Sequence, residues 1–194
     1  MAASTVSAAA APLELRDGGA FTAWLSSIDT FLFDCDGVLW RGGVGVPNVG
    51  ATIAKLEAAG KRCYFVTNNS TKTRDEYVKV LANVAGISAT KDAVLSSAYA
   101  AAVYCRDAGI SKKAYVIGGS GLISELRDVA GLECVGPDDA AKTFTFGVNK
   151  PENLDPDVEA VVIGFDARSV FIMKPLCIRN EDKFYAFYRV RFTP

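Results

Sequence analysis

Two aspartates stand two positions apart in FLFDCDGVLW, residues 31–40, directly after an apolar run. On an extended segment the side chains of Asp34 and Asp36 point the same way. Two carboxylates that close repel unless a proton or a cation lies between them. Such a pair has two uses. One carboxylate attacks as a nucleophile while the other exchanges protons with a leaving group, or both help to bind a hard ion such as Mg2+. Gly37 follows at once and permits a sharp turn that brings backbone N–H groups toward a bound anion. Further along, Thr67, Asn68, Asn69, Ser70 and Thr71 offer short hydroxyl and amide donors at the start of an expected helix, a seat for phosphate. Paired aspartates, a phosphate seat and room for Mg2+ describe phosphoryl transfer to aspartate and then to water. Taken singly, D-x-D-G reads as a turn and T-N-N-S as a helix cap. Their conjunction favours a site. The chain has no histidine, which removes Ser–His–Asp and Cys–His nucleophile pairs, His-ligated zinc and imidazole acid–base chemistry.

The elements that would position these residues alternate. Residues 21–27 are expected as a short helix and 30–34 as a buried strand. Residues 42–47 read as a loop, 48–59 as a helix capped by Asn48, 62–67 as a second strand and 72–84 as a second core helix. Strand, helix, strand and helix with short links make a parallel βαβ unit. Asp34 and Thr67 then sit at equivalent carboxyl ends, the edge where open parallel sheets bind ligands. A second alternation follows: helix 96–108, strand 114–117, a glycine-rich turn at 118–121, helix 122–129, loops at 136–139 and 147–157, and strand 160–164. The expected organisation is a flexible N-terminus over 1–20, α/β units over 21–91 and 92–168, and a tail over 169–194.

Half of the 194 residues are apolar, enough for one sizeable core or two small ones. A net charge of −1 gives no reason to expect a nucleic-acid partner. Residues 169–194 are locally basic, a pattern expected of a solvated face. Five cysteines without a C-x-x-C pair read as buried free thiols in a reducing compartment. No apolar run is long enough to span a bilayer, so no membrane partner is expected. The start, MAASTVSAAAAPLEL, lacks a basic segment of the secretory kind. The expected location is cytoplasmic, with the chloroplast as the alternative.

FLFDCDGVLW followed by YFVTNNSTKTR resembles the haloacid dehalogenase superfamily of Mg2+-dependent phosphatases, and within it the branch acting on phosphoglycolate, para-nitrophenyl phosphate and pyridoxal phosphate. The similarity runs from about residue 20 to residue 168. It takes in VIGGSGLISEL and AVVIGFD, which are similar to parts of the α/β cap that this branch inserts in its core. The resemblance implies an α/β fold: a Rossmann-like core, present here as its N-terminal half over 21–91, with an inserted α/β cap over 92–168. It implies Asp34 as the nucleophile that becomes an aspartyl-phosphate and Asp36 as the acid/base. It implies the Asp34 side chain and the Asp36 carbonyl as Mg2+ ligands, and Thr67 as the hydroxyl holding the phosphoryl group with Gly37, Asn68 and Asn69 beside it. It implies a small phosphorylated metabolite as substrate, 2-phosphoglycolate first and pyridoxal phosphate or another small phosphoester second, and a homodimer formed through the cap.

The superfamily carries two further motifs after the cap, a lysine in a G-K-P context and G-D-x-x-x-D. These 194 residues contain no Gly-Asp dipeptide. Asp138–Asp139 and Asp155–Asp157 read as caps or turns, and Lys174-Pro175 imitates the lysine motif without the metal motif following it. PLCIRN, residues 175–180, is faintly similar to a cap segment, and the aromatic-rich end after it has strand character but no evident partner. The expectation is that this chain alone is nearly inert. Three rivals remain: a nucleotide-binding module at GGSGL, where Gly118, Gly119 and Gly121 do not complete G-x-G-x-x-G; a non-catalytic interaction protein associating through the cap; and dehalogenase or acylphosphatase chemistry on the same nucleophile.

Overall fold

Thr30–Asp34 forms strand β1 and Arg62–Thr67 forms β4, and the two pair in parallel with Phe33 opposite Phe65 and Asp34 opposite Val66. They belong to a computed structural model that describes residues 17–136 and 155–165 and the backbone of 183–186. Helix α1 (Gly18–Ser26) precedes β1. The short strands β2 (Trp40–Arg41) and β3 (Val44–Gly45), helix α2 (Val49–Ala58) and then β4 follow it. Helix α3 (Arg74–Ala85) leads through a 3-10 turn to β5 (Val94–Ser96), which pairs in parallel with β4. The first sheet is therefore ordered β1-β4-β5.

One face of this sheet carries Phe31, Phe33, Cys63 and Phe65, packed with Ile53 of α2 and with Tyr77 and Leu81 of α3. The opposite face is open among the described residues. Leu32 is 66% exposed and Leu95 36%, although both are apolar. This corrects the reading of β1 as a buried strand. Its unbroken apolar run is half-buried, because α2 and α3 cover only the face that bears the phenylalanines.

The second sheet is wholly parallel, in the order β7-β6-β8-β9, with β6 Lys113–Ile117, β7 Glu133–Val135, β8 Val158–Ile163 and β9 Lys183–Ala186. Helices α4 (Ser97–Asp107) and α5 (Ser120–Ala130) pack on it. Ala98, Ala101, Ala102 and Cys105 of α4 meet Leu122 and Leu126 of α5 over Val116 and Val162.

Several expected elements shift. The loop over 42–47 contains the turn of a hairpin, because Gly42 and Gly43 both hold the positive φ that a two-residue turn requires. Asn48 precedes α2 but its side chain does not cap it; the residue is left-handed, with φ of 63°. Strand β5 was not expected, since three residues run without a loop into α4, and its last residue, Ser96, caps that helix by accepting from the Tyr99 N–H. Strand β7 was also missed. Residues 183–186 of the tail have a partner after all, pairing in parallel with the edge of β8. Asp155 and Asp157 form a turn in which Asp155 accepts the Asp157 N–H, and they pair with Lys113 and Lys112. Residues 1–16, Asp138–Asp139, Lys174-Pro175, the 175–180 segment and Cys177 lie outside the described residues.

No helix among the described residues is long and apolar enough to cross a membrane. Cys35, Cys63, Cys105 and Cys134 are free and buried. Burial, with the Asp36 and Asp34 charges adding to it, pushes the Cys35 thiol up to about 12. Burial, with a smaller contribution from Cys134, pushes Cys105 to about 11. Below the ordinary thiol pKa of ~8.5 all four are protonated whether folded or not. Above it the unfolded chain releases these protons first, so stability falls as pH rises. The urea midpoint is expected to drop between pH 7 and pH 9.5. At pH 8 a thiol reagent, followed by mass spectrometry, is expected to label these four positions only after denaturation.

Candidate active site

Strand β1 ends at Asp34, and the backbone then leaves strand geometry. Gly37 takes a φ of 94°, and the carbonyl of Cys35 accepts the N–H groups of Val38 and Leu39. This tight turn places Asp36 beside Trp40. The Trp40 Nε1 donates to Asp36 Oδ1 at 3.0 Å, and the Gly37 N–H donates to the Trp40 carbonyl at 2.7 Å. That second bond revises one expectation, because the Gly37 N–H is already engaged within the turn. Cys35 faces the core between the two aspartates.

A cleft of about 510 Å³ opens where this turn meets the end of β4. It is lined by Asp36, Gly37, Trp40, Arg41 and Gly42 from one side of the chain, and by Asn68, Asn69, Thr71 and Phe165 from others. Its size suits a small metabolite. Of the expected site residues, Asp36, Gly37, Asn68 and Asn69 come together there. Asp34 and Thr67 are not among the lining residues. Asp34 ends β1 exposed, on the sheet face opposite the phenylalanines. Thr67 is buried. Its hydroxyl accepts the Asn69 N–H at 3.2 Å and donates to the Tyr77 hydroxyl at 3.4 Å.

The expected phosphate seat at a helix N-terminus is corrected. Helix α3 begins only at Arg74, and its first turn is already satisfied. Thr73 and Glu76 form a reciprocal capping box, and the Arg74 N–H donates to Glu125 Oε1 at 2.7 Å. Acidic groups at those donors leave no opening for an anion. T-x-x-E is the stronger start signal and sets the boundary six residues beyond Thr67. Residues 68–72 are instead a loop, in which Asn69 Oδ1 accepts from the N–H and hydroxyl of Thr71. The cleft's polar side chains come from this loop.

The loop is fixed to the second sheet. Ser70 Oγ accepts the Phe165 N–H at 3.2 Å, and the Phe165 carbonyl accepts the Gly119 N–H at 3.1 Å. Gly121 lies so close to Lys72 that a Cβ there would come within 2.5 Å of its backbone. The glycines of GGSGL thus serve a tight strand-to-helix turn and a close approach. Trp40, Arg41 and Phe165 were not expected in the site. Trp40 had a signal, four residues after Asp36; Phe165 had none, since 95 residues separate it from Ser70.

Asp36 Oδ2 is buried without a hydrogen-bond partner. An unsatisfied buried oxygen is costly, and a charged one more so. A cation or a proton shared with a ligand would relieve it. No cluster of three or more acidic, cysteine or histidine side chains suited to a metal exists among the described residues. Asp36 and the backbone carbonyls of its turn are oxygens of the kind Mg2+ takes, an ion that keeps several waters and accepts substrate oxygens for the rest.

Residues 31–132 match the family described as haloacid dehalogenase-like hydrolase. Phosphoglycolate phosphatase 2 of Arabidopsis thaliana is 38% identical over 173 residues, which cover 87% of this chain and 58% of that protein. Glycerol-3-phosphate phosphatase of Homo sapiens is 43% identical over 153 residues, covering 74% and 47%. The p-nitrophenyl phosphatase from Archaeoglobus fulgidus superposes with a TM-score of 0.56 at 29% identity, over 72% of this chain and 46% of that one. The chain spans about half the length of the curated relatives it matches. The aspartate turn and the start of the second sheet both fall within the matched residues, and the chain belongs to the haloacid dehalogenase-like hydrolases.

Proposed function

We propose that the protein hydrolyses a small phosphomonoester, with 2-phosphoglycolate as the first choice of substrate, through an aspartyl-phosphate on Asp34. The observation that carries this reading is the unpartnered Asp36 Oδ2 at a cleft whose other polar lining is neutral amide, hydroxyl and one guanidinium. A carboxylate in that position is suited to moving a proton. Asp34, exposed at the end of β1 two residues before the cleft-lining Asp36, supplies the oxygen that attacks phosphorus; the ester P–O bond breaks, and Asp36 delivers its proton to the departing alcohol oxygen. Asp36, now ionised, takes a proton from water as that water attacks the aspartyl-phosphate. The P–O bond to Asp34 breaks, phosphate leaves, and Asp36 is protonated again. The Asn68 and Asn69 side-chain amides orient the phosphoryl oxygens, with Thr71 fixing Asn69 by its oxygen, while Trp40 holds Asp36 by its other oxygen. Mg2+, held by Asp34 and the Asp36 turn, would neutralise charge on the phosphoryl group when bound. Relatives named for phosphoglycolate and glycerol-3-phosphate hydrolysis support this choice of substrates.

The test is chemical trapping. After brief exposure to 2-phosphoglycolate and Mg2+, tritiated borohydride is expected to reduce the acyl-phosphate and leave label as homoserine at position 34. Label at another residue, or none above an Asp34→Asn control, would refute the reading.

A further inference from the structure

We propose that Arg41 determines specificity by receiving a second anionic group of the substrate, a carboxylate one carbon away from the phosphoester oxygen. This rests on the phosphoester reading above and narrows it to doubly acidic esters. Arg41 is the one cationic side chain among the described residues that line the cleft. Its Nε donates to the Gly37 carbonyl at 3.4 Å, and its terminal nitrogens have no partner among the described residues. This long contact engages only Nε, and the remaining donors of the exposed guanidinium form a planar fork, which matches a carboxylate better than an ammonium does.

The backbone beneath Arg41 is held at both ends of its hairpin. It sits on β2 directly before the Gly42–Gly43 turn, where φ values of 56° and 82° impose a tight two-residue hairpin. Its neighbour Trp40 is bonded to Asp36 through the indole and to Gly37 through its carbonyl. At the other end of the hairpin Gly45 abuts α3, where a Cβ would come within 2.1 Å of the Val84 carbonyl. The backbone that carries Arg41 is thus tied to the turn that holds Asp36. The side-chain amides of Asn68 and Asn69 supply neutral donors for the phosphoryl group. The division of labour is a phosphoryl group on the amide loop and a carboxylate on the hairpin.

Calorimetric titration with 2-phosphoglycolate and with ethyl phosphate, which has the same chain length without the carboxylate, tests the assignment. The wild type is expected to bind 2-phosphoglycolate about 10- to 100-fold more tightly, the range for a charge-assisted pair. Arg41→Gln is expected to bring that ratio close to unity, and Arg41→Lys to retain part of it. Circular dichroism checks that the variants fold, which an exposed side chain predicts. A wild-type ratio within twofold of unity, or a ratio that survives Arg41→Gln, overturns the proposal. If neither ligand binds the wild type, this proposal and the phosphoester reading fall together. Binding with the expected ratio but without turnover removes the hydrolase reading and keeps Arg41. Turnover without a carboxylate preference does the reverse.

Discussion

On the proposed mechanism, Asp36→Asn is expected to slow hydrolysis of an alkyl phosphoester such as 2-phosphoglycolate by ~10²–10⁴-fold, the usual worth of a positioned acid/base. The loss is unequal between half-reactions and substrates. In the first half of that mechanism Asp36 would protonate a leaving oxygen that otherwise departs as a poor alkoxide. A 4-nitrophenolate leaves with little need of that proton. With 4-nitrophenyl phosphate the variant is therefore expected to phosphorylate Asp34 at a rate close to wild type, while the second half, which needs a base for water, stays slow. Stopped-flow absorbance is expected to show a burst of nitrophenolate and then a slow phase as aspartyl-phosphate accumulates. The asparagine keeps an oxygen to accept from Trp40 Nε1, so the turn survives. Equal losses for both esters, with no burst, would show that Asp36 moves no proton.

Glu125→Ala destabilises the protein by about 3–5 kcal/mol, the range for removing one partner of a buried ion pair. Glu125 is 2% exposed and Arg74 8%. The carboxylate receives the Arg74 N–H at 2.7 Å and its Nε at 3.2 Å, while the guanidinium carbon stands 3.6 Å over the Tyr99 ring. Removal strands a buried cation and leaves the first N–H of α3 without its acceptor. The damage should also fall on the junction between the two sheets, because Arg74 opens α3 of the first and Glu125 lies on α5 of the second. Urea unfolding measures the loss. Hydrogen exchange at 68–74 is expected to accelerate well before the core of the second sheet does. The double variant Arg74→Met/Glu125→Leu is expected to recover most of the stability, since the stranded charge carries most of the cost. A loss under 1 kcal/mol in Glu125→Ala would mean that the pair relaxes into solvent. Gly121→Ala strains the same junction sterically, against the Lys72 backbone.

Much of the fold was legible because local signals agreed. Residues 30–34 and 62–67 appear as β1 and β4 at those bounds, since short apolar runs between helices of 3.6-residue period leave little choice. Where two signals competed, the stronger start signal decided: Thr73 and Glu76 outweighed T-N-N-S and moved the start of α3. β5 and β7 are three residues each, too short to show alternation, and exist because a neighbouring strand offers an edge.

By itself, the sequence determined the family, the aspartate turn at the end of β1, and the parallel order of β1 and β4. These follow from residue type and near-neighbour spacing, which act within a few positions of the chain. Tertiary structure alone decided which side chains share the cleft. It buried Thr67 behind Asn69, set Asp34 outside the lining, and brought Trp40, Arg41 and Phe165 in. It also closed the N-terminus of α3 with a carboxylate 51 positions away. Such contacts depend on where hairpins and sheets pack, and separations of 51 or 95 residues leave no periodic trace in the sequence.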